Sequence, residues 1–277
     1  MTDTSTTWIS EEQLAELIGL VQEVHGFDFG AYSKSSLKRR LSRIFMLKKI
    51  SLDELKHMIC TEPTFFQWFL EEITVNVTEM FRDPFFYKAL DTQVIPALAG
   101  FEHVRVWCAG CSSGEEVYSL SIMLKYAGLD AKSFIYGTDI HTEMLNEARR
   151  GIYPLRKIKT YEENYRQSGL PGELTDHFNL MNDAAGIRNE LRQNTLFSSH
   201  NLLTDGTFNE FQLISCRNVF IYFEAALQEK VLKMFYDSLS PNGFLCLGAK
   251  ETIRFPDIRS KFRVINSKAN IYQKIGI

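Results

Sequence analysis

Residues 104–124 read VRVWCAGCSSGEEVYSLSIML: an apolar run, a loop of glycine and serine, then two glutamates where a helix should begin. A glycine-bearing loop between a strand and a helix usually cradles phosphate, because the helix N-terminus offers free N–H groups and about half a positive charge. Glu115 and Glu116 at that helix start would repel a pyrophosphate and attract a cation. From Val104 onward strands and helices alternate: VRVWCA, a helix from Glu115, FIYGTD, a helix over 141–150, FQLISC, a helix across 225–240, GFLCLGA and a final NIYQKIG. That is the pattern of an α/β doubly wound sheet with helices on both faces. Ligands of such sheets sit beyond the C-terminal ends of the strands, so 109–114 and Asp139 are expected on one rim.

The first 75 or so residues carry helical signals alone. Ser10, Glu11 and Glu12 open a helix whose Leu14, Leu17, Ile18, Val21 and Val24 share a face, and Gly26 closes it. Ser51 with Glu54 three residues on forms a capping box. The sequence therefore divides into a small all-helical N-terminal domain, 1–76, and a sheet domain, 77–277. Within the sheet domain, 171–197 breaks the alternation with Gly, Pro and Asn around short pieces, and is expected to be an inserted antiparallel β-subdomain.

With 277 residues, 45% of them apolar, the chain is long enough for one large domain and a smaller one. A net charge of −3 argues against a protein that binds nucleic acid by bulk charge. No apolar run approaches the roughly 18 residues that span a membrane, and MTDTSTTWISEE lacks the basic and apolar parts of a signal peptide. Five scattered cysteines fit a reducing compartment, so the expected location is the cytoplasm. WCAGC looks like the Trp-Cys-x-x-Cys of disulfide exchangers, but two adjacent glutamates would raise the thiol pKa that such chemistry must lower. Cys108 and Cys111 are expected to be packing residues.

Asp139, ending the second strand, is placed to accept hydrogen bonds from a ribose diol. A ligand with a ribose at one end and positive charge at the other is S-adenosylmethionine. The strand FQLISC should run beside the first, which brings Arg217, Asn218 and Tyr222 near the methyl group. Enzymes that methylate base amino groups usually carry Pro-Pro and an aromatic at this point. Val219 and Phe220 stand there instead, which disfavours that substrate.

TVNVTEMFRD (74–83), WCAGCSSGEEVYS (107–119), GTDIHTEMLNEARRGIY (137–153), FSSHNLL (197–203) and CRNVFIYF (216–223) together resemble the bacterial chemotaxis receptor methyltransferases of the CheR type. The resemblance implies a Rossmann-like class I methyltransferase sheet and a protein-glutamate O-methyltransferase, with S-adenosylhomocysteine as product and no metal. It implies cofactor contacts at Asn76, Thr78, Arg82, Glu116, Asp139, Asn201, Leu202, Arg217 and Asn218, with Tyr222 near the reacting centre. Arg82 is expected to organise the site, holding the cofactor or the incoming carboxylate through its planar fork; its bland alternative is a surface salt bridge to Glu79 or Asp83.

The implied partner is the cytoplasmic methylation region of chemoreceptors, so the membrane is met only through receptors and nucleic acid not at all. Ser33–Lys49 carries seven basic residues and no acidic one. As a helix it would pack through Leu37, Leu41, Ile44, Phe45 and Leu47 and present Lys38, Arg39 and Arg43 for substrate docking. Some family members grip a receptor C-terminal pentapeptide with a longer glycine-rich turn than NLMNDAAGIRNEL (179–191) provides, so no such tether is expected here.

Overall fold

The computed structural model describes residues 9–74 and 77–275. They form two compact units: the described residues up to Thr74 together with Tyr222–Gln228, and Val77–Ile221 with everything from Glu229 on.

The first unit contains α1 (Glu11–His25), α2 (Lys34–Lys48), α3 (Leu52–Thr61) and α4 (Pro63–Ile73). Two reciprocal capping boxes, Ser10 with Gln13 and Ser51 with Glu54, start α1 and α3 by satisfying N–H groups that the helix itself leaves unpaired. Gly26 ends α1 in the left-handed region at φ 69°. Leu14, Leu17, Val21, Leu37, Leu41 and Ile44 are buried with the phenylalanines of α4. Two residues expected on the inward faces are not there: Val24 is 44% and Leu47 54% exposed. Leu47 lies ten residues beyond Leu37, about 80° off it at 100° per residue and away from Leu41 and Ile44, whereas Val24 keeps the angle of the buried Leu17 and is exposed next to the end of α1.

The second unit opens with α5 (Pro84–Gln93) and the single turn α6 (Ile95–Leu98). Then come β1 (Val104–Ala109), α7 (Glu115–Tyr126), β2 (Ser133–Asp139), α8 (Thr142–Arg150), β3 (Ile152–Pro154), α9 (Leu155–Ser168), β4 (Phe178–Leu180) and β5 (Ala184–Ile187). They are followed by β6 (Thr195–Ser199), β7 (Phe211–Cys216), α10 (Ala225–Ser238), whose first turn is counted with the first unit, and β8 (Leu239–Leu247). The short α11 (Pro256–Arg259), β9 (Phe262–Asn266) and β10 (Ile271–Lys274) complete it.

The main sheet has the order β6-β2-β1-β7-β8-β10-β9. β6, β2, β1, β7 and β8 are mutually parallel, while β10 runs antiparallel to both of its neighbours. β7 is buried along its whole length, as expected of a central parallel strand covered on both faces. Because the five parallel strands point one way, the segments after Ala109, Asp139, Ser199, Cys216 and Leu247 all emerge at one edge. The doubly wound expectation holds in this topology.

The expected insert needs redrawing. The small sheet has the order β3-β5-β4, all antiparallel, so it begins at Ile152 and includes α9. At the other end, Thr195–Phe197 belong to β6 and pair in parallel with β2. The sequence hid this because β3 is three residues long and carries no period that can be read. The helix expected across 225–240 stops at Ser238, and Leu239 already starts β8, whose Leu239 pairs with Phe211. No described helix is long and apolar enough to cross a membrane.

Candidate functional site

β1 ends in a loop that turns back over the sheet edge. The N–H groups of Gly110 and Cys111 both donate to the Thr138 carbonyl, at 2.8 and 2.9 Å, so the loop is tied to the end of β2. Gly110 has φ 78°, and a Cβ there would lie 2.5 Å from Val219 Cγ2. Only glycine fits both the left-handed backbone and that close approach. Asp139, 7% exposed, accepts the Ser112 N–H through Oδ2 at 2.8 Å and the His141 N–H through Oδ1 at 3.0 Å. Each oxygen keeps a further lone pair for a ligand hydroxyl. His200 donates its N–H to the Asp139 carbonyl at 3.2 Å, which brings the next residues, Asn201 and Leu202, to the same rim. The Asn201 side chain accepts the Leu203 N–H at 2.9 Å and stiffens that turn.

The two glutamates at the start of α7 part company. Glu115 is completely buried and faces the insert, where its Oε1 accepts from Tyr161 Oη at 2.8 Å and Lys157 Nζ at 3.1 Å. Its Oε2 accepts from Ser113 Oγ at 2.7 Å, and Tyr153 Oη donates to the Ser113 carbonyl at 2.8 Å. Burial and the Glu115 charge both push the Tyr161 phenol upward, so it stays protonated and donates. Glu115 therefore anchors α9 and β3 to the glycine loop and does not serve as the cation attractor that its position suggested. That role remains open to Glu116 alone.

Glu116 is met by Arg217. The guanidinium donates to Glu116 Oε2 at 2.8 Å, to Asp83 Oδ2 at 2.8 Å and to the Arg82 carbonyl at 2.9 Å. It lies 3.9 Å above the Phe86 ring. Ser215 Oγ holds the other Glu116 oxygen at 2.6 Å. The Arg217 side chain is only 2% exposed, so it supports the rim from beneath. Asp83 was expected only as a surface partner of Arg82, and Ser215, at the end of the strand FQLISC, was not among the expected site residues.

Arg82 itself is half-buried and donates to the Val77 carbonyl at 3.0 Å. Its bland alternative does not describe it: Asp83 pairs with Arg217, and Glu79 accepts from Asn164 at 3.3 Å. Phe81 and Asp83, on either side of Arg82, have φ of 53° and 60°. Ser112 and Asn218 are left-handed as well, at 49° and 62°. Non-glycine residues in this region cost about 1–2 kcal/mol each, and such strain concentrates where geometry matters for function.

Thr78 is half-buried in the same turn as Arg82, and Asn76 lies outside the described residues. Tyr222 belongs with the helical unit, where its carbonyl accepts the Ser33 N–H at 2.7 Å. In α2, Lys38 pairs with Glu11 and Arg43 with Glu72 at 3.2 Å, while Arg39 is exposed. Cys108 and Cys111 are buried, and burial pushes both thiols well up, which removes the disulfide-exchange alternative. Among the described residues no group of three His, Cys, Asp or Glu could hold a metal ion.

The rim's donor set suits S-adenosylmethionine. Asp139 offers acceptors to a diol, and Glu116, Asp139 and Asp83 outnumber the guanidiniums of Arg82 and Arg217, leaving a negative balance for an ammonium and a sulfonium. Residues 76–271 match the family described as "CheR methyltransferase, SAM binding domain". A protein of Pseudomonas putida named Cher3 is 38% identical over 99% of this chain and all of its own. The chemotaxis protein methyltransferase of Listeria innocua is 35% identical over 83% of this chain and 86% of its own, and that of Salmonella typhimurium 31% over 88% and 84%.

The buried Glu115 network gives a direct expectation. Tyr161→Phe removes a hydrogen bond to a fully buried carboxylate that also pairs with Lys157 and should cost about 1.5–3 kcal/mol of stability in urea unfolding. A loss under about 0.5 kcal/mol would mean that the insert is not anchored through this bond.

Proposed function

Because the chain belongs to the CheR methyltransferase family, we propose that this methyltransferase transfers the methyl group of S-adenosylmethionine to glutamate side chains of chemoreceptors. The products are glutamyl methyl esters and S-adenosylhomocysteine, and the setting is adaptation in bacterial chemotaxis in the cytoplasm. The observation that carries this reading is the acidic rim at the ends of β1, β2 and β7, where Asp139 and Glu116 stand. The relatives named chemotaxis protein methyltransferases support the choice of substrate class.

S-adenosylmethionine supplies a methyl group activated by its sulfonium. The residues do the rest by binding and alignment. Asp139 takes the ribose hydroxyls, and Glu116, held by Arg217 and Ser215, faces the cationic end. Thr78, Asn201, Leu202 and Asn218 line the remaining contacts. Arg82 has guanidinium donors left beyond the Val77 bond and holds the cofactor or the incoming carboxylate. A substrate glutamate is ionised at neutral pH and needs no general base, so desolvation and in-line alignment are what the site must provide.

Substrate docking falls to α2, through Lys38, Arg39 and Arg43. Exposed ion pairs such as those to Glu11 and Glu72 contribute about 0–1 kcal/mol and exchange readily for pairs with a Glu-rich receptor bundle. The β4–β5 turn is short, with Met181 donating its N–H to the Ala184 carbonyl at 2.8 Å, which supports activity without a receptor pentapeptide tether.

Incubation with labelled S-adenosylmethionine and receptor-containing membranes should yield base-labile methyl esters on the receptor. Label that survives mild base, or no label at all, would remove glutamate as the acceptor. Arg39→Glu with Arg43→Glu should lower kcat/KM for receptor about tenfold or more while cofactor affinity stays near wild type, and wild-type methylation should weaken as salt rises past about 0.15 M. Wild-type rates for the double variant at low salt would place docking elsewhere.

A further inference from the structure

Glu251 lies just beyond β8 and is 4% exposed. Its Oε2 accepts two backbone N–H groups, from Asn218 at 2.9 Å and from Gly248 at 2.5 Å. Its Oε1 accepts a third, from Ile221 at 3.3 Å. The carboxylate thus ties the segment after β7 to the turn after β8, at the edge where the other site residues emerge. A Cβ on Gly248 would come within 2.6 Å of Glu251 Oε2 and 2.7 Å of the Asn218 nitrogen, so a side chain there would wedge the two segments apart. Asn218 sits left-handed at φ 62°, a conformation that such external bonds hold in place. Burial pushes the Glu251 carboxyl upward, and the three N–H bonds oppose that by favouring its charge.

Three N–H donors around one side chain call for an acceptor at both oxygens. A carboxylate supplies this and an amide does not, because a glutamine would turn its own NH₂ toward one of the donors. Neither Asp139 nor Glu116 is arranged this way: Asp139 accepts one N–H on each oxygen, and Glu116 is held by side chains.

We propose that Glu251 is a positioning residue for methyl transfer, holding the backbone of Asn218 and Ile221 so that Asn218 meets the cofactor. This rests on the reading that Asn218 contacts S-adenosylmethionine. Calorimetry with S-adenosylhomocysteine on the full chain, for Glu251→Gln, Asn218→Ala and the two combined, tests both statements separately. Each single variant should bind about tenfold more weakly. The double variant should bind no more than about threefold more weakly than Asn218→Ala, because the two residues act through one contact. In turnover, Glu251→Gln should raise KM for S-adenosylmethionine and leave KM for receptor near wild type, a split that general loosening of the fold would not give.

Unchanged binding by Asn218→Ala removes Asn218 from the site and the proposal with it. A weakened Asn218→Ala beside a Glu251→Gln of wild-type affinity overturns the proposal and leaves the Asn218 reading standing. An additive loss near a hundredfold also overturns it. Should Glu251→Gln fail to fold, amide hydrogen exchange on the wild-type chain decides: the Asn218 and Ile221 amides should be strongly protected, and rapid exchange at both would overturn the proposal.

Discussion

A buried guanidinium holds the rim of this enzyme together. Arg217 emerges from the end of β7 with almost no solvent contact, and an unpaired charge there would cost several kcal/mol. It is satisfied by the Glu116 and Asp83 carboxylates, the Arg82 carbonyl and the face of Phe86. These partners lie on the start of α7, the turn before α5 and α5 itself. A lysine could not replace this fork, because its single ammonium cannot reach three acceptors in one plane. Satisfying the one charge therefore joins three segments far apart in sequence: 82–86, the start of α7 at Glu116 and the end of β7 at Arg217 itself.

The consequence is preorganisation. Phe81 and Asp83 are held in left-handed conformations around Arg82, and Asn218 and Ser112 in the neighbouring loops, so strain stored in these turns is balanced by bonds to the scaffold. Glu115 extends the same logic toward the insert, sharing its carboxylate between Tyr161 and Lys157 of α9 and Ser113 of the glycine loop. The glycine loop is thus gripped from the sheet through Thr138 and Asp139, and from the insert through Ser113. Acceptors oriented in advance of binding are how electrostatic and alignment effects become large.

Much of this was legible in the sequence. Alternating apolar segments gave the parallel sheet, Ser10 with Glu11 and Glu12 gave the start of α1, the Ser51–Glu54 capping box gave that of α3, and the Asp139 position followed from where a second strand must end. Glu115 and Glu116 looked alike as neighbours, yet successive residues on a helix point about 100° apart, and only the partners supplied by α9 and by β7 separate them. The burial of Arg217 depends on Asp83 and Phe86, which no local pattern links to it. Glu251 left no signal beyond its place close after Gly248. The three-residue β3 fell below what alternation can reveal, Leu47 continued its stripe in composition but not in angle, and Val24 falls next to the end of α1.

The most direct test is calorimetric binding of S-adenosylhomocysteine to Arg217→Met, which keeps the apolar stem and removes the charged fork. Circular dichroism and cooperative unfolding should show the sheet intact at reduced stability. Binding should fall by about thirtyfold or more, roughly 2 kcal/mol, because Glu116 and the Arg82 turn lose the group that holds them. A folded Arg217→Met protein that binds with wild-type affinity would contradict the account.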